Sequence, residues 1–348
     1  MHRRITRITG KTIIITPLDW GLGHATRCIP IIKELAKNNT CIIATSGRAL
    51  ELLRQEFPNL SIEEIPAYNI AYGKNKFWTM LKLLFQIPKS VIVKNKEVLI
   101  ADKLVQKHNA DMIISDNRFG MRSKLCKNVF ITHQIRVRLP YCLRLFEYSF
   151  FMINRIMISK FDECWIPDYE GTKNLSGILS HSWSVPNMHY IGPLSGRELT
   201  NCPMEYDVVA IISGPEPQRT IFEKELRSLL PQLPYKSCIV RGVVASKNNF
   251  THVGNCRIQT FATNEEINKF LCGSKIIISR AGYSSIMDYE NLKIKAILVP
   301  TPGQSEQLYL GQYLQHKDHY WCIPQQKLTK KLPIIIREAI MHQKKKSL

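Results

Sequence analysis

No two cysteines of this chain stand three residues apart, and no Cys/His cluster has the spacing of a metal site. A zinc ribbon or finger is therefore not expected, and ten scattered cysteines in 348 residues point to reduced thiols rather than a disulfide framework. Long apolar runs are missing too. No run of about 18 uncharged apolar residues occurs, so a membrane span is not expected; the nearest, LFEYSFFMINRIMI over 145–158, is interrupted by Glu147 and Arg155. The basic start MHRRITRITGKTIIITPLDWG holds an apolar run too short for a secretory signal. Acidic residues are scarce, 28 against 48 Lys and Arg, for a formal net charge of +20. Such a surplus calls for an anionic partner: nucleic acid, a phosphorylated ligand or an anionic membrane surface. Specific nucleic-acid binding is the weakest of these, because the basic residues are spread along the chain and no helix-turn-helix, aromatic RNP motif or zinc finger accompanies them. Repeats of solenoid length are also lacking.

What is present is ordinary globular composition, 45% hydrophobic and 22% charged, and a length that suggests two domains. Short β-type runs at 12–16, 41–45, 112–115, 129–132 and 163–166, then 207–212, 238–244, 276–279 and 296–300, alternate with helical material. That alternation predicts an α/β protein of parallel sheets. The series pauses at RELTNCPM, 197–204. Two Rossmann-like domains are expected, 1–197 and 205–348, with carboxyl-end loops on a shared cleft and final helices packing partly back onto the first domain.

Two stretches carry chemistry. In IIITPLDWGLGHATRCIPIIKEL, residues 13–35, a strand breaks at Gly21 and Gly23 and resumes with Ile29, Ile32 and Leu35 at helical spacing. Glycines let a ligand approach the backbone, and the first helical turn leaves amides unpaired. His24 sits at this corner and titrates near neutrality; a structural and a catalytic role both fit the residues. In SKIIISRAGYSSIMDYENLKIKAILVPTPGQSEQLYLGQYL, residues 274–314, a strand runs into Arg280 and Gly282. A helix then opens with Ser284 and Ser285 and carries Asp288 one turn on. These are the parts of a diphosphate and ribose site, or equally of a capped helix with a solvated acid.

This second stretch resembles the donor-binding half of GT-B glycosyltransferases, especially the family 28, MurG-like type. The resemblance places Arg280, Gly282, Ser284 and Ser285 on the phosphate turn, Asp288 on the ribose acid, and Gln304 and Gln307 on the sugar-contacting glutamine loop. QTFATNEEINKFL is similar to the family's base-contacting loop, which puts Phe261 and Ala262 beside the nucleobase. ISGPEPQR, with Ser213, Gly214 and Arg219, lies where the family has a glycine-rich loop, and GLGH matches its N-domain turn. Two departures stand out: Asp288 replaces the usual Glu, and Pro215 and Pro217 replace glycines, leaving fewer amides for phosphate with Arg219 to compensate. GLGHATRC also resembles the turn of UDP-sugar hydrolases of the same fold. The resemblance implies transfer of a sugar from a UDP-type nucleotide sugar, as co-substrate with no other cofactor or metal, to a glycan or lipid-linked acceptor of the cell envelope. The reaction would be inverting, with His24 as base, Asp116 in IISDNRFG second and Asp19 third; hydrolysis of the nucleotide sugar is the alternative, and a non-enzymatic sensor a further class. Basic, aromatic segments at 72–99 (Lys74, Lys76, Lys82, Lys89, Lys94 and Lys96 among Phe77, Trp78 and Phe85) and 136–155 suggest a cytoplasmic protein in peripheral contact with the inner face of the membrane.

Overall fold

A computed structural model of the protein describes residues 3–68, 76–242, 249–315, 317 and 319–341, with backbone alone over 76–90 and at 142. Packing divides the chain into two compact units, 1–196 and 197–348. The stretch 197–204, where the strand series pauses, is fastened to the second unit: Arg197 donates to the Asn264 carbonyl at 2.7 Å and Asn268 Nδ2 to the Glu198 carbonyl at 2.9 Å.

Seven strands build the first unit's sheet: β1 Thr12–Pro17, β2 Thr40–Thr45, β3 Ser61–Glu64, β4 Met112–Asp116, β5 Lys127–Ile131, β6 Glu163–Ile166 and β7 Met188–Tyr190, all parallel, in the order β3-β2-β1-β4-β5-β6-β7. The second sheet holds β8 Tyr206–Ile211, β9 Ser237–Val240, β10 Phe250–Val253, β11 Cys256–Gln259, β12 Ser274–Ser279, β13 Ala296–Leu298 and β14 Tyr320–Cys322. Its order is β10-β11-β9-β8-β12-β13-β14, with β10 antiparallel to β11. Helices cover both faces of each sheet, which is why β1, β2 and β4 read as unbroken apolar runs: Ile13, Ile14 and Ile15 are fully buried.

In both units the chain order reverses beside the first strand, between β1 and β4 and between β8 and β12. Loops leaving the carboxyl ends of strands on either side of such a reversal diverge and leave a crevice. Pro17 is in register with Asp116, and Ile211 with Ser279. The GLGH turn therefore emerges beside Asp116, and the loop at Ser213 beside Arg280.

The last helix, Leu328–Met341, buries Leu328, Leu332, Ile336 and Ala339 in the second unit's own core with Val208, Ile276 and Ile278. No helix among the described residues is long and apolar enough to cross a membrane. Residues 69–75 and the side chains of the basic segment over 76–90 lie outside the described residues; the backbone over 76–90 belongs to the helix Lys76–His108.

Candidate active site

The helix after β1 spans Leu22–Leu35 and is capped by Gly21 at φ +95, a conformation glycine adopts without strain. Gly23 is already helical, not part of the turn, and His24 occupies the helix's third position. Three to four residues on, Arg27 and Cys28 turn inward with it.

All three converge on Asp116, fully buried at the end of β4. Arg27 Nε donates to Asp116 Oδ2 at 2.6 Å, Arg27 Nη2 donates to Asp116 Oδ1, and Cys28 Sγ approaches Oδ2 at 3.5 Å. His24 Nδ1 stands 3.2 Å from Asp116 Oδ1 and 2.8 Å from Arg27 Nη2. Arg27 Nη1 meets His133 Nδ1 at 3.0 Å, and His133 is 5% exposed. Burial alone would raise the Asp116 pKa, but Arg27 and His24 outweigh it and hold the carboxyl well below the usual carboxylate range. Burial, then the Arg27 charge, lower the pKa of His24 against the opposing pull of Asp116, so the imidazole is neutral at neutral pH. Burial also pushes the Cys28 thiol well up, leaving it protonated and inert as a nucleophile.

The three base candidates thus separate. His24, with a side chain 18% exposed, retains contact with solvent. Asp116 is sealed and saturated by Arg27, so it positions its neighbours rather than meeting a substrate. Asp19, expected as a third base, is tied into the fold: it accepts from the Tyr68 amide at 3.1 Å and from Arg118 Nη2 at 3.2 Å. Arg118, fully buried, also binds Glu97 Oε1 at 2.8 Å and Ser46 Oγ at 2.9 Å, tying the loops at Asp19 and Ser46 to the helix Lys76–His108.

In the second unit, several expected ligand residues are already engaged. Arg280 is 2% exposed and stacks over Phe222 at 4.1 Å. Its Nη1 donates to the Val299 carbonyl at 3.2 Å and to Gln325 Oε1 at 2.8 Å, and Nη2 to the Gln218 carbonyl at 2.8 Å. Burial lowers its guanidinium to about 10, which leaves it charged at neutral pH. Arg280 is therefore a structural pin, not the phosphate ligand expected from sequence. Replacing it with Ala leaves several buried carbonyls unpaired and is expected to cost about 2 to 3 kcal/mol of stability, measured by urea unfolding. Arg219, expected to compensate for the missing glycines, is likewise held by Glu216 at 2.7 Å, Glu223 at 3.1 Å and the Arg241 carbonyl at 3.1 Å.

Other residues present open surface. Gly282 caps the helix Tyr283–Leu292 with no side chain, and a Cβ placed there meets no atom within 4 Å among the described residues. Ser284, Ser285 and Asp288 are half-buried on that helix, and Asp288 Oδ2 lies 3.6 Å from Arg197 Nε. Ser213 and Gly214, at φ +112, are exposed beyond β8. Gln307 is turned to its own loop, accepting from the Thr301 amide at 2.9 Å and donating to Gln304 Oε1 at 2.5 Å. Phe261 and Ala262 are half-buried before the Thr263–Glu266 capping box, with the Phe261 carbonyl bound by Gln259 Nε2 at 2.8 Å.

Four participants were missed from the sequence. Arg27 sits on the buried face of an amphipathic helix, where an apolar residue is expected. His133 lies two residues past β5 and could have been found by the carboxyl-end rule that found Asp116. Arg197 reaches Asp288 from the polar stretch where the strand series pauses. Thr301, 1% exposed, has a hydroxyl with no partner among the described residues, 4.0 Å from where a Cβ of Gly214 would sit; a buried hydroxyl left so is costly.

Comparison with known proteins follows the same division. The family described as glycosyltransferase family 28 C-terminal domain matches residues 241–347, and glycosyl transferase family 1 matches residues 14–132. No curated protein matches the chain. Among solved structures, the glycotransferase of kitacinnamycin superposes with a TM-score of 0.62 at 12% identity, covering 96% of this chain and 91% of that one. Streptomyces sp. SF2575 SsfS6, complexed with thymidine diphosphate, gives 0.59 at 9% identity over 94% and 93%. Acinetobacter baumannii MurG gives 0.52 at 13% identity over 94% and 89%. At such identities the structures attest the fold: the chain has the two-domain α/β architecture of GT-B glycosyltransferases, and it carries a stretch of glycosyltransferase family 28 C-terminal type at 241–347 and one of glycosyl transferase family 1 type at 14–132.

Proposed function

We propose that the chain transfers a sugar from a nucleotide sugar, UDP-linked, to an acceptor hydroxyl, with inversion at the anomeric carbon and no bound metal. The observation that carries this is His24, a neutral, partly exposed imidazole backed by a carboxylate that Arg27 keeps ionised. Two opposite demands meet on its Nδ1. The acceptor Asp116 Oδ1 and the donor Arg27 Nη2 both reach it; in the tautomer whose Nδ1 proton faces the Asp116 carboxylate, Nε2 keeps its lone pair. Nε2 takes the acceptor's proton as the acceptor oxygen bonds to the anomeric carbon. The bond from that carbon to the diphosphate breaks, and the nucleoside diphosphate leaves with the electron pair.

In the second unit the leaving charge suits the open helix end at Gly282 and the Thr301 hydroxyl, unpartnered among the described residues, while Asp288 accepts from the ribose hydroxyls. The thymidine diphosphate in the SsfS6 structure supports a nucleoside diphosphate as the ligand class. Asp288→Ala is expected to weaken UDP binding by about 1 to 3 kcal/mol, the range for hydrogen bonds to a charged group. Calorimetry with UDP checks this, and unchanged affinity removes Asp288 from the site. Hydrolysis is the second reading, favoured by the Arg27–Cys28 pair of the GLGHATRC turn, which stands on Asp116; the product formed without acceptor separates the two.

A further inference from the structure

Beside the GLGH turn lies a charge cluster that the transfer chemistry does not use. Arg118 donates to Asp19 Oδ1 at 3.2 Å and to Glu97 Oε1 at 2.8 Å, with Arg118 and Glu97 fully buried. Burying such ions costs desolvation, and an apolar set of the same volume is often as stable. What the cluster supplies is a fixed geometry, and its centre is Tyr68. The Tyr68 amide donates to Asp19 Oδ2 at 3.1 Å, its hydroxyl to Glu97 Oε2 at 2.8 Å, and the Arg118 guanidinium lies 5.4 Å from its ring centroid. That ring meets Trp20 edge to face, with centroids 6.0 Å apart and planes at 84°.

Trp20 is the tip of a three-residue turn: the Gly21 amide donates to the Asp19 carbonyl at 2.9 Å, and just before it the Leu18 amide donates to the Asp116 carbonyl at 3.0 Å. With its supports fixed on every side, the residue is still 43% exposed, the one exposed tryptophan among the described residues, and its indole N–H has no partner among them. A large apolar residue just before a helix cap ordinarily packs on the fourth helical residue. Here that residue is Ala25, itself fully buried, and the indole stays in solvent. An exposed side chain needs no such scaffold, whereas a ligand platform gains from being ordered in advance. An apolar ring face with a free donor on its edge fits a pyranose: the sugar's C–H groups lie on the face and a hydroxyl accepts from the N–H.

The turn is also built on the residue that holds the base. Asp116, whose carbonyl anchors Leu18, stands with its carboxylate 3.2 Å from His24 Nδ1. From these observations we propose that Trp20 is a stacking platform for the pyranose ring that bears the acceptor hydroxyl, with Tyr68 as the positioning residue behind it. That the ring belongs to the acceptor rests on the transfer proposed above; pyranose binding at Trp20 does not.

Saturation-transfer NMR on the full chain, loaded with UDP, tests this with the methyl glycosides of glucose, galactose and N-acetylglucosamine and with mannitol as a ring-free control. At least one glycoside binds the native chain, and mannitol does not. Trp20→Ala weakens that binding about tenfold with UDP affinity kept, and Trp20→Phe recovers most of it. Tyr68→Leu weakens it as well, whereas Tyr68→Phe, which keeps the ring and costs Glu97 its donor, binds like the native chain; a merely structural role gives no such split. On the native chain, without any variant, the glycoside slows oxidation of Trp20 by N-bromosuccinimide, read by peptide mass. In transfer from a labelled UDP-sugar, Trp20→Ala raises the half-saturating amount of lipid extract about tenfold and leaves the KM for the UDP-sugar unchanged. A native chain that binds none of the three glycosides, Trp20→Ala that binds them like the native chain, or oxidation that the glycoside does not slow overturns the proposal. A raised KM for the UDP-sugar in place of the extract does so too, because the platform then carries the donor's sugar. Glycoside binding that Trp20→Ala abolishes in a chain that transfers no sugar upholds the platform and refutes the transfer.

Discussion

His24→Ala lowers turnover by roughly 10² to 10⁴ and leaves UDP affinity nearly unchanged. General-base loss acts on the transition state alone, and its ordinary size is that range. The nucleotide contacts assigned to Gly282, Thr301 and Asp288 lie in the other unit. The pH profile carries a second signature. Burial and Arg27 hold the His24 pKa below its ordinary value, near 6.5 for a free imidazole. The neutral base therefore persists as pH falls, and the acid limb of kcat/KM lies below about 6.5. His24→Ala removes that limb as well as the rate. Should the variant instead abolish UDP binding with turnover of prebound donor intact, His24 is a ligand or fold element and the base must be sought elsewhere.

Asp116→Asn is expected to destabilise the protein by about 3 to 5 kcal/mol, the cost of leaving a buried charge without its partner. Arg27 is 2% exposed and donates twice to this carboxylate, so the amide takes away the anion that these two bonds hold against a guanidinium sealed beside His133. Removing the charge as well, with Arg27→Met on the Asn background, recovers part of the loss, because an apolar side chain of similar length carries no such penalty. Because the folded pKa of Asp116 lies below the unfolded value, the unfolded chain takes up the proton first on acidification. The contribution is complete at neutral pH, begins to fall below about pH 5, and is lost as pH passes the folded pKa. Guanidinium unfolding at pH 7 and pH 4 measures both statements; a loss under about 1 kcal/mol at pH 7 contradicts the assigned pairing.

The fold was largely legible because its central strands are buried on both faces. Ile13–Thr16, the run at 112–115 and the run at 276–279 are each an apolar segment ending on a threonine or serine, and the helix after Gly21 keeps a clean three-to-four period. The edges were not: β3, β7, β10 and β14 are three or four residues long and wholly or largely exposed or half-buried, so neither run length nor alternation marks them. Placement was legible wherever position relative to a strand end decides it, as for His24 after β1 and Asp116 at the end of β4. It failed wherever a long side chain chooses between ligand and interior. Arg280 stands at a phosphate-type turn in sequence, but its partners, Phe222 and the carbonyls of Gln218 and Val299, come from segments up to 62 positions away. Arg27 and Asp116, 89 positions apart, meet only because β1 and β4 are neighbours across the reversal of strand order. The engagement of Asp19 was hidden for the same reason, its carboxylate being met by Arg118 from beyond β4.

The most direct test follows the fate of the sugar. The native chain and His24→Ala are incubated with a panel of nucleotide sugars carrying labelled sugar, with and without a lipid extract as acceptor source, and both released nucleotide and labelled product are scored. Nucleotide release from a UDP-sugar that depends on the extract, label transferred into an extractable glycolipid, and loss of both in His24→Ala is the predicted result. Label appearing as free sugar at full rate without any acceptor, or transfer undiminished in His24→Ala, contradicts it.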